Sequence, residues 1–289
     1  MNISKFLWAA AVTSCLVSGV SVPVEAQQQI VPDALVGIDH IPLAVNDLER
    51  AAATYRALGF TIKPGTVDSN GILTSLIKFP DGSGIELITA SEAVDGLTEK
   101  YRQLLEAAEG PAFFAMHTRD TDKFIAALNT AQLDFSESDG VVEPGARTFD
   151  YLFFGRDNRL PTDRPEHFTH GNGATAMARV WIATDKSAEL QQLLVTLGGE
   201  ATSRTVYTPD KARAKVVAVT NGEIVILPKS HQLTKNRPII GATFNVTDIS
   251  LLERRLQSAN IAFTKGGTEN LSLIVAPPET HGMWLEFRE

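Results

Sequence analysis

The chain has 289 residues, 44% hydrophobic and 21% charged, with a formal net charge of −8. That composition excludes a disordered chain, and an acidic balance without a basic run speaks against a nucleic-acid partner. The length admits one large domain or two ordinary ones.

The first element is a leader. Lys5 precedes an apolar stretch that runs from Phe6 to Val20, and Val24-Glu25-Ala26 precedes three glutamines. A basic start, an apolar centre and small residues at the −3 and −1 positions predict a secretory signal over residues 1–26, cleaved after Ala26. It is too short for a membrane span, so the expected protein is periplasmic or secreted and begins at Gln27. Val12-Thr13-Ser14-Cys15 resembles a lipobox and gives a second reading, a lipoprotein anchored at Cys15. It ranks below the first because the apolar run continues past the cysteine. Cys15 is the only cysteine, so cleavage after Ala26 leaves no disulfide and no thiolate zinc site.

The mature chain carries a drifted repeat. An apolar run holding His40 ends at Asn46-Asp47 and leads into a helical pattern over 48–58. Strand-like runs follow over 60–63, 72–79 and 84–89. His117-Thr118-Arg119-Asp120, Ile182-Ala183-Thr184-Asp185 and Asn245-Val246-Thr247-Asp248 precede three further helical patterns. The four aspartates are spaced by 73, 65 and 63 residues, and each is expected to cap the helix that follows it. Each unit reads strand, helix, strand, strand, strand. The third strand of unit two is expected to be the most irregular. The predicted fold class is α+β, with units one and two over 36–175 and units three and four over 176–289.

The pattern resembles the vicinal-oxygen-chelate superfamily, which includes glyoxalase I, methylmalonyl-CoA epimerase, extradiol dioxygenases and the fosfomycin and bleomycin resistance proteins. The resemblance rests on Asp39-His40-Ile41-Pro42-Leu43-Ala44-Val45-Asn46-Asp47, on Pro80-Asp81-Gly82-Ser83-Gly84-Ile85-Glu86-Leu87-Ile88 and on the stretch from Pro277 to Phe287. The stretch from Pro165 to Ala174 is similar to its glyoxalase-like branch. The resemblance implies four βαβββ modules forming two curved-sheet cups, with the helices outside. It puts His40 and Glu86 side by side on a concave face.

In that frame His40, Glu86 and Glu286 form a metal set if units one and four share a cup, with Glu86 or Glu286 also moving a proton. If units one and two share it, another residue completes the set. His117, His167 and His170 are expected to meet the substrate. Aligned on the capping aspartates, the position of His40 falls on Phe113, Ala178 and Gly241, and that of Glu86 on Glu286 and Val225. Only the cup that contains unit one is therefore expected to work. One histidine with two carboxylates suits Zn, Mn, Ni or Mg, and the incomplete set equally allows no metal. The expected function is a metal-dependent isomerase or lyase acting on a small oxygenated molecule. The alternatives are a non-catalytic small-molecule binding or sequestration protein and, third, an extradiol-type dioxygenase. Arg147, Arg156 and Arg159 are weaker candidates for an anionic substrate, His281 reads as an exposed turn residue, and Trp181 and Trp284 read as core.

Overall fold

The computed structural model describes residues 37–138, 140–145, 148–155, 158–207, 210–267 and 271–289. The expected signal, Cys15, Arg147 and Arg156 lie outside the described residues.

Four βαβββ units are present. After a short β1 (Gly37–Ile38), unit one comprises β2 (His40–Ala44), α1 (Leu48–Ala57), β3 (Lys63–Val67), β4 (Ile72–Lys78) and β5 (Gly84–Ala90). A connection through α2 (Gly96–Ala107) and β6 (Gly110–Pro111) leads to unit two: β7 (Phe114–His117), α3 (Thr121–Thr130), β8 (Phe135–Ser138), β9 (Val141–Pro144) and β10 (Leu152–Gly155). Unit three holds β11 (Ala174–Thr184), α4 (Ser187–Thr196), β12 (Glu200–Val206), β13 (Ala212–Val219) and β14 (Gly222–Pro228). Unit four holds β15 (Ile239–Val246), α5 (Ile249–Ser258), β16 (Thr264–Gly266), β17 (Ser272–Val275) and β18 (Trp284–Arg288). In every unit the first and last strands pair in parallel. β9, the third strand of unit two, meets β10 through a single register pair, Phe154 with Val142.

Three of the four expected caps form. The carboxylates of Asp47, Asp120 and Asp248 accept from the amides of Arg50, Lys123 and Leu251. Asp185 does not cap α4. Lys186 takes the N-cap position without a side-chain bond, and Asp185 pairs instead with Lys229 at 2.8 Å. Lys186 follows Trp181 by five residues, as Asp47 follows Pro42, so Asp185 stands one residue short of the capping position and unit three is offset by one residue. β11 itself is eleven residues long and shifts register three times against β15.

Units one and two share one cup, and units three and four the other. In the second cup β11 pairs directly with β15 in an eight-stranded sheet. In the first the same join is made in two steps. β1 pairs with β7, β6 pairs with β2, and the chain changes sheet at Asp39, whose amide donates to Ala115 and whose carbonyl accepts from Gly84. His40 stands immediately after that crossing.

The helices of the four units, α1, α3, α4 and α5, pack on the convex sides, whereas α2 covers the concave face of the first cup. Tyr55 of α1, Phe124 of α3, Leu190 and Leu193 of α4 and Leu252 of α5 enter one apolar core that also contains Phe60, Phe79, Phe244 and Phe287. Burying each of these side chains stabilises by about 1.5–3 kcal/mol relative to leaving it in water, so this core rather than helix propensity holds the four units together. Two smaller clusters line the concave faces: Ile72, Ile88, Tyr101 and Phe113 in the first cup, and Trp181, Val216, Val225 and Ile240 in the second. No described helix is long and apolar enough to cross a membrane.

Candidate functional site

Strand register fixes what each cup presents. Pro42 lies opposite Glu86, so His40 and Glu86 are neighbours on one concave face. The equivalent pair in unit two is Phe113 and Phe153, since Ala115 lies opposite Phe153. In unit four it is Gly241 and Glu286, since Thr243 lies opposite Glu286. In unit three Trp181 lies opposite Val225, and the one-residue shift puts Arg179, not Ala178, at the histidine position. The first cup therefore carries His, Glu, Phe and Phe at its four inward positions. The second carries Arg, Val, Gly and Glu.

In the first cup His40 Nε2 stands 3.4 Å from Glu86 Oε2, and Nδ1 stands 3.2 Å from Asp39 Oδ1. The Asp39 contact is close but not aligned as a full hydrogen bond. Burial works against the charge on His40, but Asp39 and then Glu86 outweigh it and push the pKa up to about 10. At neutral pH the ring is an imidazolium between two carboxylates.

The wall around this pair is aromatic. Phe153 meets the His40 ring edge-on at 6.0 Å between centroids, Phe113 meets Phe153 at 6.3 Å, and Tyr101 meets Phe113 at 5.4 Å. The Lys100 ammonium sits 4.6 Å from the centre of the Phe113 ring while donating to the carbonyl of Asp150. Burial, and secondarily the charge of Glu86, raise the Tyr101 pKa, so its hydroxyl keeps its proton. Together these groups line a cavity of about 490 Å³ whose rim includes Asp68 and Glu143. A second chamber of about 550 Å³ lies on the other side of Glu86, which lines both, and His167 is on its far wall.

The expected residues separate. Glu286 does not join His40 and Glu86: it sits 5% exposed on β18 in the second cup, where its Oε2 accepts from Thr243 Oγ1 at 2.7 Å. The pairing of unit one with unit two, through β1 and β6, takes it away. His170 does not meet the cavity either. Its Nδ1 accepts from the Thr61 amide at 3.0 Å, so Nε2 carries the proton and donates to the Lys78 carbonyl, also at 3.0 Å. Burial lowers its pKa and keeps it neutral, as an internal brace. His117 is 8% exposed at the end of β7, opposite Gly37 and Gly155, and lines neither chamber. His167 accepts from the Arg164 amide through Nδ1 and remains at the outer chamber. His281 is 8% exposed, not a solvated turn residue, and is held by Glu109 at 2.7 Å and Thr54 at 3.1 Å. Arg159 donates to the Pro80 carbonyl.

The segment that carries His167 is anchored beneath the first cup. Asp163 accepts from Lys78 at 2.6 Å and from Lys63, and these lysine side chains are 2% and 5% exposed. Lys63 also donates to Thr162, and Lys78 to the Asn158 carbonyl.

The residues present do not fit the divalent centre that the fold implies. Two of the four inward positions in the first cup are phenylalanines, which cannot coordinate. Among the described residues no three His, Cys, Asp or Glu side chains are placed so that they could hold one metal ion. The resemblance overlooked the wall: Phe113 counted only as a missing ligand, and the helix carrying Lys100 and Tyr101 went unread. Its signal was available, with Asp95 and Thr98 forming a capping box and Leu97, Tyr101 and Leu104 following at helical spacing.

Comparison with known proteins agrees with this architecture. No curated protein matches the sequence. Among solved structures, a xylose isomerase-like TIM barrel/4-hydroxyphenylpyruvate dioxygenase fusion protein superposes with a TM-score of 0.59 at 12% identity, over 90% of this chain and 50% of that one. This chain thus spans half the length of that fusion. A variant of homoprotocatechuate 2,3-dioxygenase from B. fuscum gives a TM-score of 0.61 at 11% identity, over 90% of this chain and 72% of its own. A catechol 2,3-dioxygenase gives 0.60 at 12% identity, over 88% and 92%. At such identities the likeness is one of fold. The model of the glyoxalase-like domain matches residues 38–198, more than half of the chain. The protein belongs to the glyoxalase-like domain family of the vicinal-oxygen-chelate superfamily.

Proposed function

We propose that the protein binds a small organic molecule in its first cup, and that the molecule is an uncharged or cationic aromatic compound bearing an oxygen or nitrogen. The observation that carries this reading is the set of inward positions: His40 and Glu86 form a polar end, and Phe113 and Phe153 occupy the places where further ligands would stand. The charges support it. His40 and Lys100 face Asp39, Glu86, Asp68 and Glu143, an excess of two negative charges that disfavours anions. The polar pair recognises a hydroxyl, carbonyl or amine, and the aromatic walls supply contact area and edge-to-face packing.

Titration calorimetry with phenol, catechol, benzylamine and benzoate tests the reading. Phenol, catechol or benzylamine is expected to bind saturably, and His40→Ala and Phe153→Ala are each expected to weaken that binding about ten-fold or more. If none of phenol, catechol and benzylamine binds, or the variants bind them as the parent does, the reading fails. Oxygen uptake with catechol would move the protein to the dioxygenase reading, and a tightly held metal would restore the isomerase or lyase reading.

A further inference from the structure

The second cup has a different chemistry that the first-cup reading leaves unused. Arg179, Arg204 and Arg288 line a cavity of about 350 Å³ there, together with Trp181, Tyr207, Val225, Ser272 and Glu286. Two of the three guanidiniums are already answered. Glu223 accepts from Arg179 Nε at 2.7 Å and from Arg204 Nη1 at 2.9 Å. Burial would raise the Glu223 pKa, but Arg204 and Arg179 hold it below the usual range.

Arg288 is the exception. Its one hydrogen bond among the described residues is a long one, 3.4 Å from Nε to Asn245 Oδ1, and none of the described carboxylates pairs with it. Burial first, and Arg179 second, lower its pKa, while Glu286 opposes them. Directly across the strand pair from Arg288 stands Ser272, which is 3% exposed and whose Oγ has no hydrogen-bond partner among the described residues. A buried hydroxyl without a partner is costly unless something supplies the bond. An unpaired guanidinium fork next to an unsatisfied hydroxyl, both facing one cavity, is a receptor for an oxyanion.

The other walls limit the class of anion. Glu286 is fixed by a relay in which Trp181 Nε1 donates to Thr243 Oγ1 at 3.0 Å and Thr243 donates on to Glu286 at 2.7 Å. Glu289, at the rim, turns its carboxylate to the Ile249 amide at the start of α5. Three guanidiniums against Glu223, Glu286 and Glu289 leave no surplus positive charge, which suits a singly charged group better than a dianion. Gly241 leaves room for the tryptophans, since a Cβ there would stand 2.7 Å from the Trp181 ring and 2.8 Å from the Trp284 Cβ. Trp181, Tyr207 and Val225 thus offer an aromatic and apolar wall beside the cation.

We propose that the second cup is a separate binding site for a small monocarboxylate with an aromatic or apolar body. Arg288 and Ser272 hold the carboxylate, and the body lies against Trp181 and Tyr207.

The test is calorimetric titration of the full chain with benzoate and indole-3-acetate, with benzamide as the uncharged isostere and phenyl phosphate as the dianion. In the His40→Ala chain, where first-cup binding is weakened, one of the two carboxylates is expected to bind saturably, about ten-fold or more tightly than benzamide and more tightly than phenyl phosphate. Arg288→Gln is expected to lose that binding and Ser272→Ala to weaken it several-fold, while His40→Ala leaves it unchanged. The proposal is overturned if neither carboxylate binds, if phenyl phosphate binds more tightly, or if His40→Ala rather than Arg288→Gln removes the binding. Should Arg288→Gln fail to fold, Ser272→Ala decides alone, and unchanged affinity in it counts against the site. Because the first-cup reading concerns uncharged and cationic molecules, failure of one leaves the other standing.

Discussion

Asp163→Asn removes one charge from a buried group of three. Asp163 is the carboxylate for two ammonium groups whose side chains are 2% and 5% exposed, and it also accepts from the Leu160 amide at 2.9 Å. The asparagine keeps the shape but leaves Lys63 and Lys78 with only neutral acceptors, Thr162 Oγ1 and the Asn158 carbonyl. Breaking a buried pair from one side costs about 3–5 kcal/mol, because the remaining charge is stranded. The carboxylate's own share follows from its pKa. Burial would raise it, but the Leu160 amide, Lys63 and Lys78 hold it down at about 2, against 3.8 in an ordinary aspartate. Because the folded value is depressed, this share is present above about pH 4 and is lost as the pH falls toward 2. It is worth on the order of 2 kcal/mol. Urea unfolding at pH 7 is therefore expected to show Asp163→Asn about 3–5 kcal/mol less stable than the parent, with the gap narrowing below pH 4. The segment 158–170 walls the outer chamber beside Glu86, so ligand affinity is expected to fall as well. A loss of less than about 1 kcal/mol would refute the reasoning, since it would place the trio in the range of surface ion pairs.

Other expectations follow from the same contacts. The His40 pKa is raised from 6.5 to about 10, so its contribution is full below pH 6.5 and disappears as the pH rises through 10. The stability difference between the parent and His40→Gln should therefore shrink across that window, and a pH-independent difference would contradict the imidazolium assignment. Phe113→His combined with Phe153→Glu places two histidines and two carboxylates at the four inward positions of the first cup. It is expected to take up about one zinc or nickel per chain, measured by elemental analysis after dialysis. Failure of the folded double variant to bind metal would show that these positions do not converge. Export is a proposal that rests on residues 1–26 alone. The intact mass of the protein from a secreting bacterial host should begin at Gln27, whereas an intact Met1 or a lipidated Cys15 would replace that reading.

The repeat was legible because each unit restates one physical arrangement: an apolar strand, an aspartate at or next to the helix start, an amphipathic helix and three β-branched runs. His40 and Glu86 were legible for a related reason, since charged and titratable groups flanked by Ile41, Ile85 and Leu87 must have partners. Sequence spacing misplaced unit three by one residue. Asp185 looks like a cap in the sequence but Lys186 takes the N-cap position, so Ala178 stood where the structure has Arg179. The choice of cup partner was also hidden. Nothing local to β18 says whether Glu286 faces His40 or Thr243, because that depends on the two-residue pairings of β1 and β6. Arg288 and Ser272 escaped notice because their meaning comes from what fails to bond to them, which only the assembled cup reveals.

The central claim, that the first cup is a pocket held by protein side chains and not a metal centre, is tested most directly by metal analysis. The protein would be purified without chelator and without a metal-affinity step, then assayed for bound metal and for phenol or catechol binding before and after EDTA. The expected result is well below about 0.1 metal per chain and ligand affinity that EDTA does not change. A stoichiometric divalent metal that is lost together with ligand affinity on EDTA treatment, and that is missing from His40→Ala and Glu86→Gln, would contradict it.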